Sequence, residues 1–343
     1  MARYLVTGAT GFLGTHVVRA LERRGHHVVP FSRGSGRGGD VLDSVAVAAA
    51  AQGCDGAFHC AGKVSRKASD AEALYRLHVE GTKTVLDACA AARVRRVVVA
   101  STSGTIAVSE EAAHVGTEDD EAGAARASRL VSRWPYYRSK LFAERAALQR
   151  NHAARGNGRA ADTREGDPFE VVCVNPSLLL GPGDLRGSST EDVRLVVEGK
   201  VPAVPAGGLS FVDVRDAAEA MVLAMEKGRA GERYLVGACN LTVREFAERI
   251  ARIAGVKAPW ISLPSSRSLV SAGARWLEGA STRVGLSLPM DAVSVEMAQY
   301  FWYVDATKAE RELGWCSRDP NTTLYDTVQD LRARGAVWPS DTS

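Results

Sequence analysis

From residue 3 onward, short runs rich in valine alternate with longer stretches whose apolar residues recur every three or four positions. Short runs bounded by polar residues predict strands at Arg3–Thr7, His27–Phe31, Gly56–Cys60, Arg96–Ser101 and Phe169–Val174. Between the first two, residues Gly11 to Arg24 place Leu13, Val17, Ala20 and Leu21 on one face and stop at Gly25, which predicts a capped helix. A longer helical pattern runs from Asp70 to Arg93, and its second part, Thr82 to Ala92, has the small and apolar residues of a helix lying on a sheet. Strand and helix in alternation predict an α/β fold with a doubly wound parallel sheet.

The pattern lapses at Asn151–Asp167, a polar stretch read as a surface loop. It changes again at Asn175-Pro176-Ser177, which is expected to break the fifth strand. Beyond it come short strands and helices with more Trp and Pro, including a helix start at Thr242 with Glu245 three residues on, ahead of Phe246, Ile250 and Ile253. The division expected is residues 1–174 as a nucleotide-binding domain, with 213–236 returning to it, and 175–343 mainly as a smaller C-terminal α+β substrate lobe.

Composition narrows the partners. A formal charge of +3 from 43 basic and 40 acidic residues gives no electrostatic case for nucleic acid or an anionic membrane, so a small molecule is expected. Regular structure begins within three residues of Met1 and no apolar run approaches the ~18 residues that cross a bilayer, so a cytoplasmic protein is expected. The six cysteines are scattered without metal-ligand spacing, and His59 beside Cys60 reads as packed at a strand end, so no metal is expected.

Chemistry enters at TGATGFLG, residues 7–14, between the first strand and the first helix. That context is the one a dinucleotide loop requires, although the spacing is Gly-x-x-Gly-x-x-Gly. Gly8 suits the tight turn, Gly11 lets the backbone approach a pyrophosphate, and Gly14 allows the helix close to the sheet, with Thr10, Phe12 and Leu13 between them. A pyrophosphate there would meet the helix N-terminus, and the domain would be a Rossmann domain. NAD-binding domains carry an acidic residue at the end of the second strand, yet this chain has Phe31-Ser32-Arg33. Arg33 with Ser32 suits the 2′-phosphate of NADP(H), with NAD(H) the second choice; Arg37 is a weaker candidate, and a solvated surface arginine is the alternative.

Tyr136 and Lys140 stand at i and i+4 in YYRSK, one face of a helix, and an ammonium beside a phenol is expected to lower its pKa toward neutrality for acid–base work. Together, TGATGFLG, VVVASTSGT, YYRSK and NPSLLLGPGD resemble, in order and spacing, the extended short-chain dehydrogenase/reductase family across nearly the whole chain. The motifs are most similar to dihydroflavonol reductase and 3β-hydroxysteroid dehydrogenase types. The resemblance implies that Thr102, or Ser103 beside it, hydrogen-bonds the reacting oxygen and that Lys140 also holds the nicotinamide ribose. It further implies that Asp40 and Val41 border the adenine, that Ala61, Gly62 and Lys63 line the cofactor, and that Pro176 and Ser177 lie near the nicotinamide. Where the family has Asn before Val-x-Gly-Thr, this chain has His78. It stands there as a hydrogen-bond donor, as a group titrating near neutral pH, or as a buried polar substitute.

The function expected is an NADPH-dependent reductase, or reversible alcohol dehydrogenase, of a small apolar ketone or aldehyde, with Tyr136 as proton donor. Two alternatives stand beside it: an NAD-dependent sugar-nucleotide epimerase or dehydratase, and an NADP-binding sensor without chemistry. Trp276-Leu277 and Tyr300-Phe301-Trp302-Tyr303 are candidate pocket walls. A homodimer formed through the helices at 82–92 and 136–150 is what the resemblance implies.

Overall fold

The computed structural model describes residues 1–34, 38–153, 169–201, 203–264, 266–283 and 291–337. Arg37 and most of the 151–167 segment fall outside these; Asn151 is still in a helix.

Strands in chain order are β1 (Arg3–Thr7), β2 (His27–Phe31), β3 (Gly56–His59), β4 (Arg96–Ala100), β5 (Glu170–Pro176), β6 (Leu178–Leu180), β7 (Ala203–Val204), β8 (Gly208–Asp213), β9 (Arg233–Val236), β10 (Cys239–Thr242), β11 (Ile261–Ser262) and β12 (Phe301–Trp302). Helices are α1 (Phe12–Arg23), α2 (Ser44–Ala51), α3 (Ala71–Tyr75), α4 (Gly81–Ala91), α5 (Glu121–Val131), α6 (Pro135–Ala153), α7 (Glu191–Val197), α8 (Val214–Lys227), α9 (Val243–Ala254), α10 (Arg267–Arg283), α11 (Ala292–Met297), α12 (Thr307–Leu313) and α13 (Pro320–Ala333).

The large sheet is parallel throughout, in the order β2-β1-β3-β4-β5-β9. Residues alternate between its two faces, so each strand feeds both cores. Val6, Phe58, Val98, Val172 and Val174 pack under α1, α8 and α12, and Leu5, Ala57, Val97, Val99, Val171 and Cys173 pack under α2, α4 and α6. The chain leaves β1 toward β2 on one side and reaches β3 on the other, so a crevice opens between β1 and β3 at their C-terminal ends, the place where such sheets bind ligands. A second sheet, β10-β8-β12 with β6 beside β8, and a two-stranded piece, β7 with β11, lie in the C-terminal part. Their apolar face meets α7, α9 and α13.

Two expectations are corrected. The fifth strand does not break at Asn175: Asn175 and Pro176 pair with Leu235 and Val236 of β9, and the Ser177 N–H then donates to the Val236 carbonyl. Proline is tolerated there because it sits at the strand's end. The helix expected from Asp70 to Arg93 is interrupted by a π turn at Arg76–Glu80, where the Gly81 N–H reaches back to the Arg76 carbonyl. The helix start at Thr242 is a full capping box with Glu245.

Candidate active site

The glycine loop is shaped by contacts that a side chain would obstruct. Gly8 has φ +68°, and a Cβ on it would lie 2.6 Å from the Ala61 nitrogen, just beyond β3. A Cβ on Gly14 would come within 2.1 Å of the Gly8 carbonyl oxygen, so α1 is seated directly on the turn. Gly11 is the N-cap of α1 and supplies no capping side chain, which leaves the first N–H groups of the helix to a ligand. These features fit a pyrophosphate.

Around that loop, Ser32 is buried at the end of β2 while Arg33 is exposed beyond it. The Asp40 carboxylate accepts from the Leu42 N–H, and Val41 is buried against Gly81 of α4. Ala61, Gly62 and Lys63 form the turn after β3; the Lys63 ammonium pairs with Asp70 at 2.9 Å, and its backbone N–H donates to His78. Pro176 and Ser177 end β5, and the buried Ser177 hydroxyl has no hydrogen-bond partner among the described residues.

Tyr136 and Lys140 share the inner face of the first turns of α6. The Lys140 ammonium donates to the Ala100 carbonyl at the end of β4, 2.8 Å away, and burial lowers its pKa to about 8. The phenol behaves otherwise than the sequence suggested. Burial, followed by the neighbouring Tyr137, pushes the Tyr136 pKa up, because desolvation outweighs any help from the cation. Burial thus favours the protonated form of the Tyr136 phenol.

The hydroxyls opposite come from the turn after β4. Thr102 accepts a long 3.4 Å bond from the Gly104 N–H and caps the turn at Ser103–Thr105. Ser103 is buried and also faces the cavity that Tyr136 lines. The turn is pinned from behind by Glu144, one helical turn beyond Lys140, whose buried carboxylate accepts from Ser101, from Thr105 at 2.9 Å and from Asn175 at 2.6 Å. Glu144 escaped notice in the sequence, although its spacing from Lys140 places it on the same helix face.

His78 is buried in the π turn. Burial, followed by Lys140 and then His59, lowers its pKa to about 2, which opposes a positive charge on the ring. His59 is likewise buried, between Thr7 at 2.7 Å and Thr82 at 3.0 Å, and burial with the Lys140 charge takes its pKa to about 3.

Tyr136, Thr102 and Ser103 stand at one end of a cavity of about 260 Å³ between the large sheet and the C-terminal part. Its aromatic wall is Trp134, Tyr137 and Trp302, with Tyr137 and Trp302 tilted together at 4.9 Å, and its apolar wall includes Leu195, Val204, Leu209, Phe246, Val293 and Met297. Trp302 confirms part of the aromatic stretch as lining, whereas Trp276 is 72% exposed and is not a wall. The charged lining residues are Arg66 and Asp192, and they pair with each other at 3.3 Å while Arg66 also donates to Ser294. Neither was singled out from sequence, since nothing in the spacing joins a residue after β3 to one in α7.

A tyrosine–lysine pair at the mouth of a doubly wound parallel sheet defines a nucleotide-dependent oxidoreductase of Rossmann type. Residues 4–237 match the model of the NAD-dependent epimerase/dehydratase family, and the chain belongs to that family. A protein of Synechocystis sp. named for dihydroflavonol 4-reductase is 31% identical over 97% of this chain and 96% of its own length. Cinnamoyl-CoA reductase 1 of Oryza sativa subsp. japonica is 32% identical over 71% of this chain and 72% of its own. A nucleoside-diphosphate-sugar epimerase from Pseudomonas aeruginosa shares the fold, with TM-score 0.73 and 24% identity over 98% of this chain and 99% of that one. The protein is thus an oxidoreductase of the extended short-chain dehydrogenase/reductase type.

Proposed function

We propose that this enzyme is an NADPH-dependent reductase of a small, apolar ketone or aldehyde. The observation that carries the reading is the cavity: a protonated Tyr136 and the Thr102/Ser103 hydroxyls at one end of an apolar chamber whose two charged residues cancel. A sugar nucleotide would bring a diphosphate into that chamber, and the lining offers it one guanidinium already paired with Asp192. A neutral carbonyl compound meets no such conflict. Similarity to named reductases points the same way.

Bound NADPH supplies the hydride. The protein's part is to orient and to protonate. The first turn of α1 and the glycine loop would hold the pyrophosphate, Arg33 and Ser32 would select the 2′-phosphate, and Lys140 would hold the nicotinamide ribose. Asp40, Val41, Ala61, Gly62, Pro176 and Ser177 would line the rest. Ser103, whose hydroxyl has no competing partner among the described residues, or Thr102, already engaged as a cap, donates to the substrate oxygen. Tyr136 gives that oxygen its proton, and Trp134, Tyr137 and Trp302 exclude water around it.

The test is Tyr136→Phe with a panel of apolar aldehydes and ketones. Turnover should fall by on the order of 10²–10⁴, as expected for loss of a general acid. NADPH binding, followed by fluorescence titration, should be nearly unchanged. Near-normal rates in Tyr136→Phe would remove the assignment, and retained NAD with turnover of a sugar nucleotide would replace it.

A further inference from the structure

The π turn places His78 where both ring nitrogens meet partners on different elements. Its Nε2 accepts the Lys63 backbone N–H at 3.1 Å, from the turn after β3. Its Nδ1 lies 2.7 Å from the Ser139 hydroxyl on α6. Ser139 uses its own hydrogen to donate to the Tyr136 carbonyl at 2.7 Å, so Nδ1 carries the proton and donates to Ser139. The ring also meets Tyr136 edge-on, with centroids 5.7 Å apart, and a Cβ on Gly62 would be 3.3 Å from Nε2.

We propose that His78 is a positioning residue: its neutral Nδ1–H imidazole clamps the Ala61–Lys63 turn to the first turn of α6 and so sets Tyr136 against the cofactor. This rests on the reading of Tyr136 as proton donor and of that turn as cofactor-lining. With both nitrogens engaged, the ring has no free site for passing a proton. The groups around it oppose a second charge. The Lys140 ammonium faces it from α6, and His59 faces it from β3, with Thr82 between them. Thr82 donates to the His78 carbonyl, so it accepts from His59 Nε2–H, and Thr7 must then donate to His59 Nδ1. Both imidazoles are therefore held neutral, in opposite tautomers.

Two measurements on the full-length protein decide this. The first is nitrogen-15 NMR of histidine-labelled protein, with the His78 signal assigned from His78→Asn. The clamp requires a neutral Nδ1–H ring from about pH 5 to about pH 9, the range across which an ordinary imidazole changes charge. A titrating ring, or the Nε2–H tautomer, would overturn it. The second is NADPH titration. His78→Leu should weaken binding about tenfold or more, with His78→Asn recovering most of it, because an amide can both donate and accept. Ser139→Ala, which cuts the link to α6 alone, should keep NADPH binding and lower kcat. His78→Leu that folds and binds NADPH like the parent would overturn the proposal. Should the parent protein bind no NADPH, the functional reading fails, and the NMR result still decides the clamp.

Discussion

At the residue scale, environment overrides type. The Tyr136/Lys140 spacing was legible in the sequence, but the direction of the phenol's pKa was not, because periodicity does not report how dry a cavity is. The same dryness gives a pH prediction through His59. Its pKa falls from 6.5 to about 3 on folding, so between these values the unfolded chain binds a proton that the folded chain refuses. The stability this group contributes is complete above 6.5 and is lost as the pH falls toward 3. His59→Asn should therefore flatten the decline of Tm with acidity across that window, measured by calorimetry against the parent; equal slopes would contradict the buried, neutral ring. In the proposed reading, cofactor choice turns on Arg33. The parent should prefer NADPH over NADH by at least tenfold, about 1.4 kcal/mol, and Arg33→Ala should erase most of that margin. An unchanged ratio in titrations of the two cofactors would return Arg33 to the solvated surface.

At the element scale, the first five strands and their parallel, doubly wound class were readable because short valine-rich runs bounded by polar residues have few other uses. The π turn was not. An extra residue in a helix leaves the apolar spacing on either side intact, so 70–93 reads as one helix. Glu144 shows a second limit: its place on the Lys140 face follows from α6, but its partners come from β5 and the turn after β4, which only the assembled sheet brings together. Its carboxylate accepts three side-chain hydrogen bonds in a buried site. All three reach the same oxygen, so in Glu144→Gln the amide oxygen can keep them, but the NH2 group then faces the Arg233 guanidinium, which pairs with the other carboxylate oxygen at 3.6 Å, at a cost of about 1–3 kcal/mol. We expect a lower Tm and, because the 101–105 turn loosens, a lower kcat with NADPH affinity retained. Thermal unfolding and cofactor titration together check this, and loss of NADPH binding instead would mean that Glu144 supports the whole crevice.

At the scale of the whole molecule, the cavity exists because residues distant in sequence close it: Arg66 follows β3, Asp192 belongs to α7 and Ser294 to α11. The sequence pointed to some of the aromatic residues in the C-terminal part, but not to which of them turn inward. Trp302 does so because β12 pairs with β8 beside the cavity, whereas Trp276 lies on the outer side of α10. The chamber's neutrality is likewise a product of assembly, and it can be altered. Asp192→Asn removes the carboxylate paired with Arg66 and leaves the guanidinium only the weaker influence of Asp291, in apolar surroundings where a charge attracts an anion strongly. The variant should lower KM for an aldehyde carrying a carboxylate by on the order of tenfold relative to its uncharged analogue, about 1.4 kcal/mol, with kcat nearly preserved since Tyr136 is untouched. The comparison must be made on the pair of substrates, because loosening of the chamber alone would raise both KM values together. A parallel change in the two would show that Asp192 serves closure, whereas a divergent change would show that its charge tells the chamber which carbonyl compounds to admit.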